Sequence, residues 1–211
     1  MSYFSIAGIA AAAAMTVGGA LGAVSNGAGS NGSAADHPKP IVDQDGGVMN
    51  PMIGGQAMLP SRTLLENISA SPQHTTLAAE MKESGVASAL KGDGEFTIFA
   101  PTNAALANLP AQQRNKAQLA RMMGYLVVPG RYDSQTLLRV IGEGGGQAKL
   151  RTAQGGVLVA RLNGPTNVVL MDEKGATADI SIYDIYERNG VIQVVDHTLE
   201  PGAASGQMAS R

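Results

Sequence analysis

Few side chains here are suited to nucleophilic or metal chemistry, because the chain has three histidines, His37, His74 and His197, and no cysteine. The missing thiols remove disulfides, thiolate metal sites, thiol catalysis and a cysteine-linked lipid anchor together. A hydrolase needs a nucleophile beside a base, and none of the three histidines sits in a nucleophile-elbow pattern. His74 and His197 read as surface or capping residues, and His37 falls in a Gly/Pro-rich stretch. Met49, Met52 and Met58, with His37, are thioether and imidazole ligands of the kind copper accepts, but adaptable flanking methionine is the preferred reading, so no metal or cofactor is expected. No motif singles out a carboxylate pair for glycoside chemistry. Asp172-Glu173-Lys174-Gly175 reads as a hairpin turn, and Gly144-Gly145-Gly146 lacks the strand-to-helix setting and Lys-Ser/Thr ending of a phosphate loop. Asn31-Gly32-Ser33 and Asn67-Ile68-Ser69 match a glycosylation sequon that is frequent by chance. A non-catalytic protein is expected.

The elements that must position these residues begin after an uncharged run from Ile6 to Val24, which reads as the apolar part of a secretory signal, with a weak uncleaved membrane anchor as the alternative. Segment 1–24 is assigned to that leader, 25–57 to a flexible Gly/Ser/Pro-rich tether, 58–202 to one domain and 203–211 to a disordered tail. The 211 residues suffice for one ordinary domain, and with aromatics at 4% its core must be aliphatic. A net charge of −2 without any basic cluster argues against nucleic acid as a partner, and against membrane contact other than through the leader.

Within the domain, Leu64, Leu65 and Ile68 recur at helical spacing, and Ser71-Pro72 reads as the cap and first position of a second helix carrying Leu77 and Met81. Gly85 ends that helix, and Val86 to Leu90 makes a further turn. Glu95 to Ala100 is a strand, after which Thr102 or Asn103 caps a short helix. Leu119, Met122, Met123 and Leu126 form a core stripe, and Asp133 or Ser134 caps the helix carrying Leu137, Leu138 and Ile141. Beyond Gly146 the period changes from 3.6 to 2, giving strands at 148–151, 157–162, 167–171, 179–183 and 191–195. Helices first and strands afterwards give an α+β class.

Three of these segments carry a resemblance. The run Thr97-Ile98-Phe99-Ala100-Pro101-Thr102-Asn103, the central Tyr125-Leu126-Val127-Val128-Pro129-Gly130 and the late Asn189-Gly190-Val191-Ile192-Gln193-Val194-Val195-Asp196 resemble, in order and spacing, the signatures of a single fasciclin-like domain of the bacterial type. The resemblance implies a two-sheet β-wedge with packed helices and an exported adhesion or interaction module. Its partner would be a cell-surface or envelope protein, a matrix component or a polysaccharide. A periplasmic or secreted carrier with a small apolar ligand between helices and sheet is the rival reading.

The resemblance also points to Tyr125 and to Asp184-Ile185 as candidate partner-binding residues, through the positions to which receptor binding is attributed in animal members. The alternative gives Ile185 to the core and Asp184 to a turn. Family members usually carry histidine where this chain has Leu126 and Gln193, so a pH-dependent role at those places is not expected. Phe99, Pro101, Thr102, Asn103, Pro129, Gly130, Gly190 and Asp196 are assigned to the frame, with the Asp196 carboxylate expected to meet the Thr102-Asn103 turn.

Overall fold

The computed structural model describes residues 41–42, 48–91, 94–107 and 115–202. The leader, most of the expected tether, His37, the Asn31 sequon and the tail from 203 lie outside the described residues.

Two short hairpins come first, β1 (Ile41–Val42) with β2 (Val48–Met49) and β3 (Met52–Ile53) with β4 (Gln56–Ala57). The second corrects the boundary drawn at residue 58. Ile53 is buried in the core beside Met58, and the Asn50 side chain donates to the Tyr186 carbonyl at 2.5 Å while accepting its N–H at 2.8 Å. Residues from Asn50 onward are therefore part of the domain. Met58 packs in the core, whereas Met49 and Met52 are exposed.

Helix α1 (Leu64–Ala70) opens with a capping box in which Thr63 and Glu66 satisfy each other's neighbouring N–H groups. The expected helix start at Ser71-Pro72 is displaced. Ser71 instead ends α1, and α2 (Thr75–Ser84) begins four residues later behind His74, whose side chain makes no cap bond. That ring turns inward, with Nδ1 2.9 Å from the Ser71 hydroxyl. The N–H of Thr76 is taken from outside the helix, by Asn103 Oδ1 at 3.0 Å. Gly85 stops α2 in a left-handed conformation, and α3 (Val86–Ala89) follows.

Strand β5 (Phe96–Pro101) runs into α4 (Asn103–Ala107), and α5 (Lys116–Tyr125) places Leu119, Met122 and Met123 in the core as their spacing requires. After β6 (Val127–Pro129), Asp133 caps α6 (Ser134–Glu143) by accepting from Thr136 N–H at 2.8 Å. The strands β7 (Gln147–Arg151), β8 (Val157–Leu162), β9 (Val168–Met171), β10 (Thr177–Glu187) and β11 (Gly190–Val195) complete the chain.

Seven strands hydrogen-bond in the order β6-β5-β11-β10-β9-β8-β7. β10 is longer than its alternation suggested and belongs to both halves. Thr177 to Asp179 pair with β9, whereas Ile180 to Glu187 pair with β11. The change of partner falls between Asp179 and Ile180, and register shifts follow within the β11 pairing between Ile180 and Ile182 and between Ile182 and Ile185. A sheet divided along one shared strand agrees with the two halves of a wedge. Helix α6 lies against β7 and β8, while α2 packs on α1, α4 and α5.

The two halves of the sequence are joined by one parallel pairing, β5 with β11, from Phe96 opposite Gly190 to Pro101 opposite Val195. Gly190 is required at its start, because a Cβ there would stand 1.9 Å from the Phe96 carbonyl oxygen. By contrast, Gly155 has a positive φ of 97° but open space around it. Replacing Gly190 by Ala is expected to cost more than about 3 kcal/mol in urea unfolding, against about 1 kcal/mol for Gly155→Ala, whose strain is backbone alone. Equal costs would mean that the β5–β11 contact gives way easily.

Candidate functional site

Each residue proposed for partner contact is inside the domain. Tyr125, at the end of α5, is fully buried; its hydroxyl donates to the Val157 carbonyl at 2.8 Å and accepts the Glu173 N–H at 3.1 Å. Its ring lies over Gly156, where a Cβ would approach Cε2 to 2.8 Å. Burial pushes the phenol well above its ordinary range, so it stays neutral. Tyr125 thus ties α5 to the start of β8 and to the turn after β9. Leu126 is equally buried, and its carbonyl accepts from Phe99 N–H at 2.9 Å.

Asp184 and Ile185 are also enclosed, at 6% and 0% exposure, so neither presents a surface to a partner. Residues Tyr183 and Asp184 bulge opposite the single residue Gln193, and Asp184 adopts a positive φ of 58°, which Asp tolerates better than most residues. The interrupted ladder is repaired by side chains. Gln193 Oε1 accepts the Asp184 N–H at 3.0 Å, and its Nε2 donates to Asp184 Oδ1 at 2.9 Å and to the Tyr132 carbonyl at 3.0 Å. The Asp184 carboxylate in turn accepts the N–H of Ser134 at 2.7 Å and its hydroxyl proton. Ser134 N–H belongs to the first turn of α6, where backbone donors lack intrahelical partners and a negative charge is favoured. Ile185 fills the core and Asp184 joins β10, β11 and α6. Gln193 does this without a titratable proton.

The frame residues divide in the same way. Phe99 is fully buried, and Thr102 caps α4 through Ala105 N–H at 3.3 Å. Asn103 serves a different helix from the one expected. Besides capping α2, it donates to the Pro72 carbonyl at 3.0 Å, so the turn after Pro101 locks the start of α2. At Pro129-Gly130, Thr97 Oγ1 donates to the Gly130 carbonyl at 2.7 Å and accepts Tyr132 N–H at 2.8 Å, while Gly130 takes a positive φ of 102°.

Asp196 does not meet the Thr102-Asn103 turn. Its carboxylate accepts the Asp179 N–H at 2.8 Å and lies 3.0 Å from His197 Nδ1, because β10, not α4, is the neighbour on that side. His197 is exposed. The Asp172-Gly175 turn holds more than a hairpin, since Asp172 Oδ2 accepts Glu200 N–H and Glu173 Oε2 accepts Gly202 N–H, both near 2.9 Å.

Three polar groups, the half-buried Asn189 and the buried Asn67 and Glu187, carry long-range contacts that residue order does not reveal. Asn189 Oδ1 accepts the Leu64 N–H at the start of α1, and its amide donates to the Leu90 carbonyl after α3. Asn67, the potential sequon residue, is fully buried and donates to the Leu59 carbonyl at 2.8 Å and to Glu187, which is 3% exposed. The signal for Asn67 was its place on the Leu64, Ile68 face of α1; for Glu187 it was its place two residues beyond Ile185 on β10.

Comparison with known proteins decides the family. A model described as the fasciclin domain matches residues 72–201. The chain belongs to the fasciclin domain family. It is 30% identical over 149 residues to Protein sll1483 of Synechocystis, covering 66% of this chain and 73% of that protein. It is 27% identical over 153 residues to pig transforming growth factor-beta-induced protein ig-h3, and 30% over 141 residues to human periostin. These alignments cover 70% and 65% of this chain but only 20% and 16% of the two larger proteins. Among solved structures, the FAS1 domain pair of the insect cell adhesion molecule fasciclin I superposes with a TM-score of 0.56 at 18% identity, covering 66% of this chain and 51% of that one. This fasciclin domain extends before the family match, because α1 and the β3–β4 hairpin are bonded into it.

Burial pushes the Glu187 carboxyl up to about 9, against the downward pull of its Asn67 bond. Its other oxygen is buried with no hydrogen-bond partner. The folded domain holds this acid neutral at pH 7, whereas the unfolded chain ionises it, so its contribution is full below about 4.5 and is lost as the pH rises towards 9. His74 works oppositely. Burial lowers its pKa from 6.5 to about 4, so its contribution is present above 6.5 and is lost as the pH falls through 4. Between pH 6.5 and 9 the Glu187 slope therefore stands alone of the two, at up to about 1.4 kcal/mol per pH unit. Glu187→Gln is expected to flatten the unfolding free energy over that window in urea titrations; an identical slope in the variant would show Glu187 ionised in the fold.

Proposed function

We propose that this fasciclin domain is an exported, non-catalytic interaction module that meets a cell-surface or envelope protein, a matrix component or a polysaccharide. The observation that carries the reading is family membership shared with a domain pair from a cell adhesion molecule. The chemistry of the interior supports it. Asp184, Gln193, Tyr125, Asn103 and Asn189 all direct their polar atoms at backbone groups of neighbouring elements, which fixes the frame and leaves recognition to exposed surface. The apolar leader is consistent with export.

The reading separates from a small-ligand carrier in one preparation. The tagged full-length chain, incubated with envelope and cytosolic extracts, is expected to retain a partner from the envelope alone and to show only its own mass in native mass spectrometry. A copurifying small molecule without envelope capture favours the carrier. Turnover of an envelope substrate by the purified chain removes the non-catalytic reading.

A further inference from the structure

Between α1, α2 and α3 runs an open groove of about 700 Å³. Its floor is apolar and small, formed by Leu65, Ala78 and Ala87, of which Leu65 and Ala78 pack against the core from outside. Its rim carries Arg62, Lys82 and Lys91. Among the described residues the carboxylate on the rim is Glu66, and it is already engaged, accepting from Thr63 N–H at 2.7 Å and Thr63 hydroxyl at 2.9 Å in the α1 capping box. Its further electrostatic partners are Arg62 and Arg188. Lys82 and Lys91 have no carboxylate within ion-pair distance among the described residues. Three cations around one occupied carboxylate make the groove positive on a chain whose net charge is −2.

We propose that this groove is the docking site for an acidic amphipathic peptide segment of the protein partner, with apolar side chains on the alanine floor and carboxylates on Lys82, Lys91 and Arg62. The proposal rests on the interaction-module reading and names its surface. Charge complementarity selects the sign of the partner, and shape selects its class. A glycan would use an aromatic platform, and none of the groove residues is aromatic. A bilayer is met by projecting apolar side chains, whereas this floor is concave and built on alanine. A segment laying one apolar face in a groove while its flanking acids meet the rim satisfies both features.

The test uses the full-length chain and two fluorescent synthetic peptides, one with leucines at i, i+3, i+4 and i+7 and glutamates elsewhere, the other with lysine in place of glutamate. The acidic peptide is expected to bind saturably and the basic one not at all. Lys82→Glu with Lys91→Glu, two exposed changes, should weaken binding by about tenfold or more, and Ser69→Trp, which fills the groove from an exposed position of α1, should do the same. Unchanged binding in both variants, equal binding of the basic peptide, or variant-sensitive binding to phosphatidylglycerol vesicles in place of the peptide would overturn the proposal. Envelope capture separates the two levels of the reading. Capture by the wild-type chain that both variants retain refutes the groove and leaves the module, whereas failure of the wild-type chain to capture anything removes both.

Discussion

Strands β5 and β11 lie side by side and parallel although some ninety residues separate them, and the rest of the seven-stranded sheet extends outward on both sides of that pairing. A parallel ladder cannot be closed by a tight turn, so the intervening chain must travel out and back before the contact forms. The pair is consequently wrapped by what it connects. All six residues of β11 are buried, as are Thr97 to Pro101 of β5, and each strand carries an antiparallel neighbour on its outer side, β6 on β5 and β10 on β11. At one end Asn189 anchors α1 and α3; at the other Asn103 anchors α2. The two most recognisable segments of the chain are thus the seam of the sheet together with the polar clamps at its ends.

A second constraint follows from the first. Where β10 leaves its partner at the bulge, backbone groups would be orphaned in the interior, and a buried unpaired donor or acceptor costs about 1–3 kcal/mol. Asp184, Gln193 and Ser134 close that gap among themselves. The cluster explains why residues that look like a recognition dipeptide are inaccessible: their polarity serves the fold. The proposed groove between α1 and α3 lies away from this cluster, and its Lys82 and Lys91 have no carboxylate within ion-pair distance among the described residues.

Much of this was readable from residue order. The strands of the second half follow from a period change at Gly146, the core stripe of α5 from its spacing, and a helix cap at Asp133 or Ser134 from residue type, the structure choosing Asp133. What escaped was long-range. Ser71-Pro72 carries a good local start signal, but the inward turn of His74 and the reach of Asn103 from a distant turn move the helix start to Thr75. The Asn50 clasp on Tyr186 draws a Gly/Pro-rich stretch into the domain, which composition alone assigns to a tether. Asp196 bonds to Asp179 and not to the α4 turn, because residue order shows that β11 ends there without showing that β10 flanks it. The burial of Asp184 and Ile185 is hidden for a similar reason: a dipeptide has no burial written in it until the bulge opposite Gln193 is known.

The central claim, that the β5–β11 pairing holds the rest together, is tested most directly by native-state hydrogen exchange. Amides of Ile98, Ile192 and Val194 should be the slowest in the domain and should open only with global unfolding, while those of the β7–β8 hairpin exchange earlier through local opening. If β7 and β8 prove better protected than β5 and β11, or if β5 and β11 open with different free energies, the seam is not what the fold depends on.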